Sequence, residues 1–86
     1  MLKITKIIDG RRESLKLEGV LRDAWLEEVR IAASGMHTAK ERCLVLADVT
    51  YADAEGVALL KELLTQGCKI ESCSGFIAAT LGLEIP

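Results

Sequence analysis

"CLVLADVTYADAEGVALLKELL", residues 43–64, is the stretch on which the reading of this fold turns. Its opening, "CLVLADV", is apolar at every position but Asp48. Such a run suits a strand covered on both faces better than one with a wet side. Beyond it the period changes. Val57, Leu60, Leu63 and Leu64 fall on one face of a helix, which predicts a helix from about Ala54 to Gln66 that stops at Gly67. Asp53 stands where a side-chain oxygen can accept hydrogen bonds from the free N–H groups of the helix start. A buried strand running through a short loop into a capped helix is the signature of an α/β unit.

The flanking segments extend the pattern. Downstream, "CKIES" (68–72) alternates, with Cys68, Ile70 and Ser72 on one side and Lys69 and Glu71 on the other, as in a half-exposed strand. "SGFIAATLG" (74–82) reads as a short final helix, capped by Ser74 and ended by Gly82. Upstream, "RDAWLEEVRIAAS" (22–34) places Trp25, Val29, Ala32 and Ala33 on one stripe. That predicts an amphipathic helix with Asp23 as its cap, Trp25 as a core anchor and a left-handed terminator at Ser34-Gly35. The loop "GMHTAKER" (35–42) follows it. "LKITKII" and "SLKLEG" flank "DGRRE" (9–13), and Asp9-Gly10 supplies the positive φ that a hairpin needs.

The resulting order is β-β-α-β-α-β-α, a mainly parallel sheet after an N-terminal hairpin, with right-handed crossovers. Lys16, Glu18, Lys69 and Glu71 give the sheet a polar face, so the helices should cover mostly the other. The central strand is the exception. Whichever set lies away from the helices, Cys43, Val45 and Ala47 or Leu44 and Leu46, is apolar, and either the hairpin or another protein, such as a second copy, should shield it.

Composition narrows the function. Its 86 residues suit a single domain, 1–86, and half are hydrophobic, but Trp25, Tyr51 and Phe76 are the only aromatics, so the interior is aliphatic. A net charge of −2 with scattered basic residues argues against nucleic acid as a partner. No cleavable leader or membrane-length apolar run is present, which predicts a cytoplasmic protein with no direct membrane insertion. Three cysteines, Cys43, Cys68 and Cys73, then read as reduced thiols.

At the junction, cap and dipole account for Asp53 and Glu55. Gly56 is different, because glycine in a helix costs about 1 kcal/mol relative to alanine. Something there must gain from close backbone approach. Asp48, Asp53 and Glu55 could be imagined as metal ligands, but strand end and cap already explain the two aspartates. Cys43, Cys68, Cys73 and His37 could be imagined as a zinc set, though the first two stand where small buried hydrophobes belong. Neither a metal nor any other cofactor is expected.

The ordered set "LKLEGVLRDAWLEEV" (15–29) and "LVLADVTYADAEGVALLKELLTQGCKI" (44–70) resembles the STAS domain of bacterial anti-sigma-factor antagonists, sulfate transporters and small transporter-associated subunits. The resemblance covers almost the whole chain, including Gly19 before the first helix and the Asp53-x-x-Gly56 signature. It implies a non-catalytic regulatory module that binds its partner through the strand-to-helix loop and the first helical turn: Thr50, Tyr51, Asp53, Ala54, Glu55 and Gly56. The partner implied is an anti-sigma factor of the kinase type or the ATPase subunit of a transporter. In that family the residue after the signature aspartate is commonly a serine or threonine that the partner phosphorylates. Here it is Ala54, so the phospho-switch does not carry over; Thr50 is the nearest candidate hydroxyl, though a loop threonine is more often a turn former, and Glu55 could stand in as a fixed charge. The chain ends at "LGLEIP", about where longer family members continue with a strand and helix.

Two other classes stay open. The carboxyl ends of parallel strands beside a helix start can hold a nucleotide or other anion, although Asp53 and Glu55 oppose negative charge there. A small enzyme could use the acidic loop or Cys73, whose place before a helix start would favour the thiolate.

Overall fold

The computed structural model describes residues 2–36 and 40–82. It contains β1 (Leu2–Asp9), β2 (Arg12–Leu21), α1 (Trp25–Ser34), β3 (Glu41–Ala52), α2 (Ala54–Thr65), β4 (Lys69–Cys73) and α3 (Gly75–Leu81). The four strands form one mixed sheet in the order β1-β2-β3-β4. β1 and β2 are antiparallel; β2, β3 and β4 run parallel. The hairpin closes at the Asp9–Arg12 pair with Gly10 at φ +59, as the Asp9-Gly10 pair required. His37 and the last residues, 83–86, lie outside the described part. No described helix is long and apolar enough to cross a membrane.

The helices share one face, where Leu15, Leu17, Leu44 and Leu46 of the sheet meet Val29, Leu59, Leu60 and Ile77, all at most 1% exposed. Among the described residues this interior holds no aromatic ring, and Met36 and Cys68 are its sulfur-bearing members. The ends of α2 and α3 follow the sequence: Asp53 and Ser74 cap them, and Gly67 and Gly82 adopt positive φ beyond them.

α1 departs from the expectation at both ends. Asp23 does not cap it. This residue takes φ 55, turning the chain off β2, and its carboxylate reaches Arg22 Nε at 3.6 Å instead. The N-cap is Ala24, without a side-chain hydrogen bond, and Gly35 stays right-handed at φ −81. Trp25 is 36% exposed, and Leu26 and Val29 are the buried pair. Being the first helical residue, Trp25 extends over the preceding turn, beyond the packed part of the helix.

β3 is the second correction. The loop expected at Thr50 and Tyr51 is strand, because β3 runs to Ala52 alongside β2. Its 12 residues pair with 10 in β2, and the surplus is absorbed at two register shifts, between Lys16 and Glu18 and between Gly19 and Val20. Each shift reverses the alternation of inside and outside. The set on β3 buried beneath the helices therefore runs Leu44, Leu46, Val49, Ala52. A further shift in β3–β4 pairing sets Ser72 opposite Val45, across from the side expected for it, and Cys73 opposite Leu46.

The face away from the helices carries Cys43, Val45 and Ala47 on β3. The hairpin does not shield it, since β1 and β2 lie beside β3 in the same sheet. Charged side chains cover part of it instead. Arg12 contacts Glu71 at 2.8 Å and Glu41 at 3.9 Å, Lys69 contacts Glu41 at 3.7 Å, and Cys43 nearby is 3% exposed. Long side chains with apolar stems and wet heads do this readily. Val45 is half-buried and Ala47 exposed.

Candidate docking site at the end of the central strand

The junction from β3 to α2 is built by internal bonds. Asp53 has an extended backbone, φ −79 and ψ −179, and its Oδ1 accepts from the Gly56 N–H at 2.7 Å. Its own N–H donates to the Leu21 carbonyl at 3.2 Å, joining the start of α2 to the end of β2. Gly56 completes the join. A Cβ on it would lie 2.5 Å from the Leu21 carbonyl oxygen and 3.3 Å from Leu21 Cγ. The close approach that this glycine serves is thus internal. Gly56 is buried and Asp53 half-buried.

Thr50, Tyr51, Ala54 and Glu55 are exposed. Thr50 falls at the second register shift, and its Oγ1 donates to the Gly19 carbonyl at 3.2 Å. Tyr51 is 42% exposed and stacks on Phe76, with ring centroids 6.0 Å apart and planes at 29°. Phe76 was missed in the sequence. The available signal was its place in the first turn of a helix that follows a strand parallel to β3. Ser74 sets that position: its N–H donates to the Leu46 carbonyl at 3.1 Å, and its hydroxyl donates to the Val49 carbonyl at 2.8 Å and accepts from the Ile77 N–H at 3.3 Å.

The carboxylates do not form a common site. Asp48 pairs with Glu18 along the strand, Asp53 serves as cap, and Glu55 sits on the outer first turn of α2. Among the described residues no three His, Cys, Asp or Glu converge in a way that could hold a metal ion. A shallow groove beside the start of α2 is lined by Asp23, Leu26, Glu27, Arg30, Glu55 and Ala58. Among the described residues Arg30 is its one cation, and it contacts Glu62 at 3.1 Å. An anion would meet three carboxylates there.

The thiols are separated by burial. Cys43 and Cys68 are buried and Cys73 is half-buried at the end of β4. Desolvation pushes both buried thiols above the ordinary range, helped at Cys43 by Glu41 and opposed at Cys68 by Arg42. A thiol reagent at neutral pH is therefore expected to label Cys73 first and the other two only on unfolding. The sign in pH follows. With native values raised, this contribution to stability is complete below the unfolded thiol value, about 8.5, and is lost as pH rises through the native values. The urea midpoint should fall on the alkaline side, and less steeply in Cys68→Ala.

No family model and no curated protein matches the chain. Among solved structures, the crystal structure of Mglu is similar, with a TM-score of 0.66 and 30% sequence identity, over 79% of this chain and 18% of that one. This chain thus spans under a fifth of the length of the protein it resembles.

Proposed function

We propose that the chain is a non-catalytic interaction module of the STAS type, which docks a regulatory protein in the cytoplasm through the end of β3 and the first turns of α2 and α3. One observation carries this reading. At the junction Asp53 is engaged as cap and Gly56 lies against Leu21, while Tyr51, Ala54, Glu55 and Phe76 remain exposed. What is left for a partner is an exposed aromatic pair and, on the first turn of α2, a carboxylate. Partly exposed aromatic anchors are the residue type that dominates protein interfaces.

The order β-β-α-β-α-β-α and the Asp53–Gly56 turn support the family reading. Similarity to a small part of a much longer chain supports a modular unit. The partner is an anti-sigma factor of the kinase type or a transporter ATPase subunit. With Ala54 at the switch position, the charge of the docking surface is constant, and binding is governed by the partner's availability.

Calorimetric titration against a purified partner of each class tests this. Glu55→Arg reverses one exposed charge of the surface and is expected to weaken binding at least about tenfold, more at low salt, with only a small fall in thermal midpoint from the lost favourable charge at the helix start. Equal affinity for wild type and Glu55→Arg would place docking elsewhere. With a kinase partner, Ala54→Ser should also take up phosphate; a transporter ATPase should leave it unmodified.

A further inference from the structure

β1 is the outermost strand next to β2 and is eight residues long. The closing pair of a two-residue hairpin, here Asp9 and Arg12, is hydrogen-bonded, and hydrogen-bonded and non-bonded pairs alternate along the ladder. Lys3, Thr5, Ile7 and Asp9 therefore bond inward to β2. Leu2, Ile4, Lys6 and Ile8 turn their N–H and C=O groups to the rim. Natural sheets defend such a rim with short strands, proline or outward lysines. β4, the opposite rim, is five residues long and carries Lys69 and Glu71. β1 is longer, and of its two lysines, Lys3 and Lys6, the second is held back by Glu13 at 3.1 Å.

We infer that β1 pairs antiparallel with β1 of a second copy of this chain, about a twofold axis at Lys6. Only even-numbered positions present rim groups, so the axis must fall on a residue, and the choices are few. An axis at Thr5 sets Ile4 against Lys6 and Lys3 against Ile7. An axis at Ile7 sets Lys6 against Ile8 and Thr5 against Asp9. The axis at Lys6 sets Lys3 against Asp9, Ile4 against Ile8 and Thr5 against Ile7, each contact occurring twice. Charge then meets opposite charge and isoleucine meets isoleucine.

Three features of the free chain fit this register. Lys3 and Asp9 are exposed and make no ion pair with any described residue. Ile7 and Ile8 are 43% and 60% exposed. The two lysines at the axis do not confront one another, because Lys6 Nζ is drawn back to the buried Glu13 carboxylate at 3.1 Å and to the Gly35 carbonyl at 3.3 Å. The pairing continues the sheet across two chains at its lateral rim, away from the β3–α2 junction, and it stands whether or not that junction docks a partner.

Sedimentation over a concentration series up to millimolar tests the pairing, with circular dichroism melts confirming that each variant folds. Wild type should dimerise. Ile8→Lys, at an exposed position, should raise the dissociation constant about tenfold or more, since it removes two isoleucine pairs. Lys3→Asp should weaken the dimer by a similar factor, and Lys3→Asp with Asp9→Lys should recover it. Hydrogen exchange supplies a direct readout: the Ile4, Lys6 and Ile8 amides should be protected in the dimer and exchange freely in dilute chain. A wild type that stays monomeric throughout, or a dimer indifferent to both Ile8→Lys and Lys3→Asp, would overturn the inference.

Discussion

Gly56→Ala should destabilise the chain by about 2–3 kcal/mol, as a lower urea midpoint at unchanged slope. Helix propensity alone points the other way, favouring alanine by about 1 kcal/mol. The sign of the change is therefore informative. A Cβ at position 56 would lie 2.5 Å from the Leu21 carbonyl oxygen, a backbone atom held in the sheet by β2–β3 pairing. Nothing flexible can yield, so either the start of α2 lifts off or the end of β2 moves, and the Asp53 N–H bond to the same carbonyl weakens with it. For a domain whose whole stability is about 5–10 kcal/mol, this is a large fraction. Leu21→Ala should not rescue it, because the offending atom is not in the side chain. A neutral or stabilising Gly56→Ala would mean that the two elements are less tightly joined than described.

The second large effect is on binding. Replacing both Tyr51 and Phe76 by alanine should cost about 2–4 kcal/mol of partner affinity, a loss of roughly thirtyfold to a thousandfold. Folding stability should fall as well, since the two side chains, 42% and 43% exposed, are more than half buried and touch each other across the sheet end, so affinities are compared where both variants are fully folded. Ring pairs at this separation contribute about 0.5–1.5 kcal/mol beyond buried area. A double-mutant cycle should thus find the two losses coupled, each single variant taking away more than half of what the pair removes. Unaltered affinity in the double variant would exclude this end of the sheet as the docking surface.

Much of the architecture was legible because local rules and global packing agree in it. The apolar run from Cys43, the leucine stripe of α2, the Asp53 and Ser74 caps and the glycines at 10, 67 and 82 each point to one conformation, and the structure has it. The failures share a cause. Whether Thr50 and Tyr51 are loop or strand depends on how far β2 extends alongside, and that is a long-range fact. Ser72 was misplaced because a register shift has no signature in one strand read alone. Trp25 was assigned to the core by spacing. Leu26, Val29 and Ala33 satisfy helical spacing equally well, and only the position of the first turn relative to the sheet decides between them. At the candidate site, the composition of the helix start pointed to a close backbone approach at Gly56 but could not say that the Leu21 carbonyl is what approaches. Phe76 could be joined to Tyr51 only once the parallel order placed the starts of α2 and α3 at one end.

The aliphatic interior also governs how the molecule responds to light. Every chromophore of the chain stands at the end where β2, β3 and β4 give way to helices: Trp25 opens α1, Tyr51 lies near the end of β3, and Phe76 lies in the first turn of α3. Ultraviolet emission from this protein consequently monitors its periphery, while the packed centre is spectroscopically mute. A dye-free titration can follow events at that rim, and melting has to be tracked through the amide backbone.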